Sequence, residues 1–178
     1  METATFGGGC YWCTEAFFQR VSGVEKVESG YSGGTVPNPT IDQVYAGQTG
    51  HAEVTQIIFN PKQISYKELL EIFFTMHDPT TPNRQGNDVG DEYRSIIFYN
   101  SPAQQKTAQE MIDGFAAGLW GAPIVTELVP LEVFYSAGAG AQDFYNRNPE
   151  ASYCQLVINP KIQKLRHKFA NKLKPANY

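Results

Sequence analysis

Runs of apolar and β-branched residues alternate with polar breaks along the chain and predict four strands. The third run stops at Asn60-Pro61, and the fourth is an Ile-Ile-Phe-Tyr segment that follows a polar, turn-rich stretch. The predicted strands cover residues 3–6, 24–31, 54–59 and 94–99.

Three helices are predicted between and after these strands. The glycines at 7–9 lead from the first strand into a helix over 11–20. Ser65 stands three residues before Glu68, a capping box that opens a second helix ending before Pro79. A third helix starts at Ser101-Pro102 and extends to about residue 117.

The rest of the chain carries weaker patterns. Residues 125–135 predict another strand or a bulged pair, 142–146 a short helical turn, and 161–173 a basic amphipathic helix with a solvated face. No repeat or linker divides residues 1–178, so we expect a single domain. Alternating strands and helices predict a two-layer α+β domain with helices on a mixed or antiparallel sheet.

Two long polar segments, 32–51 and 78–92, interrupt the pattern. A loop as long as 32–51 inside a compact domain is usually functional or disordered, and we favour a functional loop. The polar composition of 78–92 is typical of turns.

The composition narrows the class of partner. The 178 residues carry 14 Lys and Arg against 18 Asp and Glu, and this formal charge of −4 disfavours nucleic acid or an anionic membrane as partner. No apolar run approaches the roughly 18 to 20 residues of a membrane span, and the N-terminus does not resemble an export signal. Three cysteines fit neither a disulfide framework nor a four-cysteine zinc site. We expect a cytoplasmic protein that uses thiol chemistry.

Cys10 is the strongest candidate for a nucleophile. It begins the first predicted helix, where free backbone N–H groups and the helix dipole lower a thiol pKa from about 8.5 to roughly 3.5–7.5. Tyr11 and Trp12 would line an apolar pocket suited to a methyl or thioether group. The alternative is an inert cysteine buried beside core aromatic residues.

Cys13 completes a Cys-x-x-Cys, and residues three apart share one side of a helix, so a disulfide with Cys10 is possible. The same spacing occurs in thioredoxin-type redox motifs and in zinc half-sites. A zinc ion would need His51 or Cys154 as a further ligand, and we expect no metal. Cys154 is either a small buried hydrophobe or a partner for Cys10.

Glu53 stands at the entry to the third strand. Burial against the sheet would raise its pKa and make it a general acid. The alternative is a surface carboxylate, with His51 as a loop-capping residue; we otherwise place His51 among the substrate-binding residues. Tyr93 could direct its hydroxyl into the same pocket as a neutral donor.

Short motifs follow one another in a specific order along the chain. They are Gly8-Gly9-Cys10-Tyr11-Trp12, Gly30-Tyr31-Ser32-Gly33-Gly34, Pro37-Asn38-Pro39-Thr40, Thr49-Gly50-His51-Ala52-Glu53, His77-Asp78-Pro79, Gln85-Gly86-Asn87-Asp88 and Tyr93-Arg94-Ser95. The ordered set resembles the A-type peptide methionine sulfoxide reductases, from about residue 6 to about 158.

The resemblance implies a ferredoxin-like core within the α+β fold. Beyond it, residues 159–174 are expected to form the C-terminal helix. It implies reduction of the S-epimer of methionine sulfoxide, free or in peptides, with thioredoxin as reductant and no metal or organic cofactor. The attacking thiol would be Cys10 and the proton donor to the sulfoxide oxygen Glu53. Other site positions carried over are Asp88 and Tyr93 as polar groups, Tyr11 and Trp12 as the wall around the substrate methyl, and Cys154 as the resolving cysteine.

Several positions depart from the family pattern. Ile41 stands where a tyrosine commonly helps to hold the sulfoxide oxygen; Tyr45 lies four residues on, and a helical turn would bring its hydroxyl to the same region. Tyr11 replaces a commoner phenylalanine, Cys13 a frequent glycine and Ala141 a frequent histidine.

Two cysteines compete to resolve a Cys10 sulfenic acid. A Cys-x-x-Cys inside a continuous helix keeps its β-carbons about 5–6 Å apart, more than the roughly 3.5–4.5 Å of an unstrained disulfide. Cys154 follows Asn148-Pro149 in a segment expected to lack regular structure. We therefore expect a first disulfide between Cys10 and Cys154, with Cys13 as a spectator or relay.

Two rival functions fit parts of the pattern. One is a thioredoxin-like thiol–disulfide oxidoreductase that uses Cys10 and Cys13, and the other is a zinc- or peptide-binding module without activity. We favour the sulfoxide reductase, acting as a monomer.

Overall fold

A computed structural model describes residues 1–175, in which a mixed six-stranded sheet forms the centre of the molecule. The strands are β1 (Glu2–Gly7), β2 (Val24–Ser32), β3 (Ala52–Phe59), β4 (Arg84–Gln85), β5 (Asp88–Val89), β6 (Ile96–Tyr99), β7 (Glu127–Pro130) and β8 (Tyr135–Ser136). The sheet order is β7-β6-β1-β3-β2-β8; β6 and β7 are parallel and the other neighbours are antiparallel. Strands β4 and β5 form a separate small hairpin.

Seven α-helices accompany the strands within the described residues. They are α1 (Tyr11–Phe18), α2 (Ile41–Tyr45), α3 (Tyr66–Met76), α4 (Pro102–Met111), α5 (Ala117–Trp120), α6 (Phe144–Arg147) and α7 (Asn159–Lys168). The capping box predicted for α3 is present: Ser65 Oγ accepts from the Glu68 amide, and the Glu68 carboxylate accepts from the Ser65 amide.

The two faces of β3 explain how the sheet is covered. Ile57 and Phe59 point to the side where α1 and α3 pack, and they join the main core. Val54 points to the opposite side and packs with Phe98 and Phe134 in a smaller cluster. Strands β6, β1, β3 and β2 thus form a ferredoxin-like order, with helices on one face. The predicted α+β class is confirmed.

Two segments differ from the sequence prediction. The stretch 125–135 is neither one strand nor a bulged pair, because β7 and β8 lie at opposite edges of the sheet. The C-terminal helix begins before residue 159 and α7 ends at Lys168, with a π-helical turn over Cys154–Ile158 leading into it. Pro160, which has no amide hydrogen, is accommodated in the first turn of α7 after this turn.

Within residues 1–175, no helix is long and apolar enough to cross a membrane.

Candidate active site

Cys10 occupies the N-cap of α1, with extended backbone angles (φ −60°, ψ 129°). The tight turn from β1 requires glycine: Gly9 has φ +92°, and a β-carbon there would lie 2.7 Å from Gln85 Cγ. A β-carbon on Gly8 would lie 2.9 Å from the ring of His77. Gly8 and Gly9 pack closely against His77 and Gln85, and this close packing fixes the position of the Cys10 thiol. Only 9% of Cys10 is exposed.

The electrostatics at Cys10 differ from the sequence prediction. Burial raises the pKa of the thiol well above its usual value, and the nearby Glu53 carboxyl and Cys13 raise it further. Hydrogen bonds from the Trp12 amide and the Tyr153 hydroxyl act in the other direction but do not compensate. The expectation of a lowered pKa is therefore wrong for this structure, because desolvation outweighs the helix terminus.

Glu53 is the acid beside this thiol. It lies on β3 and shares the helix side of the sheet with Ile57, so it points at the start of α1, where Oε1 accepts a hydrogen bond from the Tyr11 amide at 3.1 Å. The residue is only 1% exposed. Burial raises the pKa of the carboxyl to about 8, so it carries a proton at neutral pH, as the sequence predicted.

Tyrosine hydroxyls surround the same region. Tyr31 pairs with Glu53 across β2 and β3, and its hydroxyl is 2.8 Å from that of Tyr11. Burial raises the pKa of Tyr93 and of Tyr45, and the nearby Glu53 and Cys10 groups raise both further. These phenols are neutral hydrogen-bond donors throughout the physiological pH range.

Tyr45 reaches the site from the one-turn helix α2. Thr40 caps this helix with a full capping box, so Ile41 and Tyr45 lie one turn apart on the same side. Tyr45 is 49% exposed and therefore lies at the mouth of the site rather than inside it.

Trp12 forms an aromatic wall beside Cys10. Its ring stacks on Phe144 with centroids 3.7 Å apart, and the ring of Tyr153 packs against it edge-on at 5.8 Å. Tyr11, in contrast, is almost fully buried. The half-buried indole is the wall residue that stays accessible from the surface.

A hydrogen-bonded chain links the second cysteine to the 78–92 loop. Tyr153 Oη donates to Asp88 Oδ2 at 2.8 Å and lies 3.6 Å from Cys13 Sγ. Burial raises the pKa of Cys13, whereas the Lys161 ammonium and the Tyr153 hydroxyl lower it.

Two sequence-predicted residues have surroundings that differ from the expectation. His51 accepts from the Gly34 amide at Nδ1 and donates from Nε2 to the Val36 carbonyl, so both ring nitrogens brace the 32–51 loop rather than face a ligand. Cys154 is fully buried in the main core and begins a π-helical turn, so the prediction of an irregular segment there is wrong. The three cysteines are free thiols.

The sequence analysis did not assign roles to Tyr153, Phe144 or Glu15. Glu15 is buried on α1, where its carboxyl accepts from the Ser29 hydroxyl and the Phe144 amide and thereby holds the residue behind Trp12. A glutamate in the middle of an otherwise apolar helix was a signal for a buried polar contact. For Tyr153 and Phe144 no local pattern gave such a signal. Residues 1–175 contain no cluster of His, Cys, Asp and Glu that could hold a metal ion.

Comparison with known proteins gives consistent results. The sequence profile described as peptide methionine sulfoxide reductase matches residues 2–173. The chain is 59% identical over 172 residues to the peptide methionine sulfoxide reductase MsrA of Sulfolobus acidocaldarius, and the match covers 97% of both proteins.

Solved structures are also similar. The reduced form of Mxr1 from Saccharomyces cerevisiae has a TM-score of 0.78 at 34% identity, covering 86% of this chain and 88% of that one. Mxr1 in complex with Trx2 has a TM-score of 0.55 at 28% identity, covering 80% and 84% of the two chains.

Proposed function

Since the chain belongs to the peptide methionine sulfoxide reductase family, we propose that Cys10 attacks the sulfoxide and that Glu53 protonates its oxygen. The chain is an oxidoreductase that reduces methionine sulfoxide by thiol chemistry. The observation that carries the residue assignment is the bond between Glu53 and the Tyr11 amide. This bond places a protonated, buried carboxyl beside the only cysteine that stands at a helix N-cap among the described residues.

The first step transfers oxygen from substrate to enzyme. The Cys10 sulfur attacks the sulfoxide sulfur while the Glu53 proton moves to the oxygen. The oxygen passes to Cys10 as a sulfenic acid, methionine leaves as a thioether, and the Cys10 thiol proton restores the Glu53 carboxyl. The substrate sulfur gains two electrons and the Cys10 sulfur loses two.

A neutral pair suits this step. Both Cys10 and Glu53 have raised pKa values, so the resting site holds a thiol and a carboxylic acid rather than two charges. A sulfoxide oxygen that gains negative charge then finds a proton ready for transfer in a desolvated pocket.

Neutral hydroxyls assist the oxygen. We assign Tyr93 and Tyr45 as hydrogen-bond donors, with Tyr45 in place of the hydroxyl that Ile41 lacks; its position one turn along α2 supports this assignment. Asp88 is a further polar group of the pocket, held by Tyr153.

The aromatic wall selects the substrate. We propose that Trp12 contacts the methyl group of the sulfoxide and thereby favours the S-epimer, with the stacked Phe144 fixing the indole plane. Tyr11 supports the wall from beneath through its bond to Tyr31.

Recycling requires a dithiol reductant. The sulfenic acid condenses with a second cysteine, and a thioredoxin reopens the disulfide by exchange. The complex of the structurally similar yeast Mxr1 with Trx2 supports this partner. We further propose that the protein acts as a cytoplasmic monomer on methionine sulfoxide in free and protein-bound form.

A single-turnover assay on separated epimers tests the proposal. Reduced protein mixed with methionine S-sulfoxide should release methionine, and Cys10→Ser should release none. Activity on the R-epimer alone, or a burst retained by Cys10→Ser, would contradict the assignment.

The arrangement of Cys10 and Cys13 at one helix terminus also favours a second candidate, a thiol–disulfide oxidoreductase. Such a protein would reduce the disulfides of insulin and leave the sulfoxide unchanged. Measuring both substrates with dithiothreitol as reductant separates the two functions.

A further inference from the structure

We infer that Cys13 is the thiol that resolves the Cys10 sulfenic acid, and that Tyr153 and Asp88 accept its proton. The inference rests on the proposed function, because sulfoxide reduction creates the sulfenic acid. It replaces the sequence-based expectation of a first disulfide between Cys10 and Cys154.

The backbone around Cys10 removes the geometric objection to a Cys10–Cys13 disulfide. That objection holds for two cysteines inside a continuous helix. Cys10 instead lies outside the helix at the N-cap, with extended angles, whereas Cys13 is the third helical residue. The Cys13 amide donates to the Cys10 carbonyl at 3.1 Å, as expected for this relationship.

Two other helices of the same molecule show that an N-cap residue and the third helical residue can reach each other through their side chains. At α3, Ser65 Oγ of the N-cap lies 3.1 Å from Glu68 Oε1 of the third helical residue. At α2, the Thr40 and Gln43 side chains each bond to the other residue's amide. An N-cap side chain leans over the first turn and a third-position side chain reaches back, without distortion of the helix. Cys10 and Cys13 occupy the same two positions of α1, although the Cys10 side chain makes no capping hydrogen bond.

Tyr153 provides Cys13 with a proton acceptor. Its hydroxyl donates to Asp88 Oδ2 at 2.8 Å, so the oxygen, 3.6 Å from Cys13 Sγ, can accept from the neutral thiol. Cys13 can therefore donate to Tyr153, which in turn donates to Asp88. Once the Cys13 proton has left, the same hydroxyl stabilises the thiolate and so lowers the pKa of Cys13. The Lys161 ammonium further favours a thiolate at Cys13, against the larger opposing effect of burial on its pKa.

The step balances in atoms and electrons. The Cys13 sulfur attacks the Cys10 sulfur, an S–S bond forms, and the S–O bond of the sulfenic acid breaks. The Cys13 proton moves to Tyr153 Oη as the tyrosine proton moves to Asp88, and the leaving hydroxide takes the Glu53 proton to become water. The Cys10 sulfur is reduced and the Cys13 sulfur is oxidised.

Cys154 has none of these features. It is fully buried in the apolar core, and burial alone raises the pKa of its thiol. To reach Cys10 it would have to leave the helical turn that it begins. Cys13 already lies on the first turn of the helix that Cys10 caps.

Disulfide mapping after one turnover tests the inference. Trypsin cleavage at Arg20, Arg147 and Lys161 places Cys10 and Cys13 together in residues 1–20 and Cys154 in residues 148–161. Reduced protein is mixed with one equivalent of methionine S-sulfoxide, quenched with N-ethylmaleimide at increasing times and digested without reduction. We expect residues 1–20 to lose two hydrogens and carry no label, while residues 148–161 carry one label. Residues 1–20 cross-linked to 148–161 in the earliest samples would overturn the inference.

Variants test the proton acceptor. Tyr153→Phe should slow disulfide formation about tenfold or more relative to methionine release, and Cys154→Ser should still form the disulfide. The matched control is Tyr66→Phe, since the Tyr66 hydroxyl is buried without a hydrogen-bond partner among the described residues. It should form the disulfide at the wild-type rate. An equal rate in Tyr153→Phe, or a disulfide at full rate in Cys13→Ser, would overturn the inference.

Methionine is measured in the same samples. Absence of methionine from the wild-type protein would count against the proposed function. Methionine release without a Cys10–Cys13 disulfide would count against this inference alone.

Discussion

The Tyr11 amide donates to Glu53 Oε1 at 3.1 Å and so joins the first turn of α1 to strand β3 at the point where Cys10 stands. The bond fixes one carboxyl oxygen, and Oε2 makes no hydrogen bond within residues 1–175. Because Glu53 is buried, its carboxyl is protonated at neutral pH, and we propose that this proton passes to the sulfoxide oxygen. Side chains alternate between the two faces of β3, which directs Glu53 toward α1, and Cys10 stands at the N-cap of that helix. Together these two positions bring the Glu53 carboxyl and the Cys10 thiol close to each other.

Glu53→Gln should retain substrate binding and lose most of the chemical rate. The amide preserves the size of the side chain but has no acidic proton, and general acid catalysis is typically worth about 10² to 10⁴ in rate. Single-turnover methionine release measures the effect. An unchanged rate at neutral pH would remove Glu53 from the mechanism.

The rate of the wild-type enzyme should fall as pH rises through about 8. Above the pKa of Glu53 the carboxyl loses the proton that it must donate. A profile of kcat/KM against pH checks this, with Glu53→Gln as the control that lacks the descending limb. A wild-type profile that rises through pH 8 would contradict it.

Glu53 should also make stability depend on pH. Its pKa is raised from 4.5 to about 8 on folding, so between these values the folded state keeps a proton that the unfolded state has released. The free energy of unfolding therefore decreases with rising pH across this window, by about 4 to 5 kcal/mol at most. Urea unfolding at pH 5 and pH 8 should show a smaller decrease for Glu53→Gln than for wild type. Equal decreases would show that the carboxyl is not perturbed.

Tyr45→Phe should slow methionine release several-fold and leave the melting temperature nearly unchanged. The hydroxyl is at the mouth of the site, and the half-exposed ring contributes little to the core. Tyr135→Phe on β8, outside this group of tyrosines, is a suitable control. If Tyr93→Phe is slow and Tyr45→Phe is not, Tyr45 does not replace the hydroxyl missing at Ile41.

Phe144→Leu should raise KM for methionine sulfoxide more than it lowers kcat. Loss of the 3.7 Å stack frees the Trp12 ring, which we propose as the wall for the substrate methyl. Phe169→Leu, at another half-buried aromatic position against the core, controls for a general loss of packing. An equal rise of KM in both variants would argue against a specific role for the stack.

The sequence was sufficient to locate Cys10 and Glu53. A glycine turn before a helix and a β-branched run that ends at Asn60-Pro61 are local patterns, and each predicts its element without reference to distant residues. The same holds for the capping box of Ser65, which is present as predicted.

The rest of the site depends on how distant elements dock. Tyr153 meets Asp88 and Cys13 only because the C-terminal helical segment packs beside α1. In the sequence, Tyr153 is 65 positions from Asp88 and 140 positions from Cys13. The pKa of Cys10 was predicted in the wrong direction because the helix terminus is visible in the sequence, whereas the depth of burial is not. His51 ends the 32–51 loop in the sequence, but its hydrogen-bond partners are set by the way this loop folds back on itself.

The central claim is that the substrate oxygen passes to Cys10. In a Cys13→Ser/Cys154→Ser double variant, Cys10 is the one thiol left in the sequence. One equivalent of methionine S-sulfoxide should yield one equivalent of methionine and one sulfenic acid at Cys10, measured as a dimedone adduct by mass spectrometry. Release of methionine with Cys10 unmodified, or no methionine from the folded double variant, would contradict the claim.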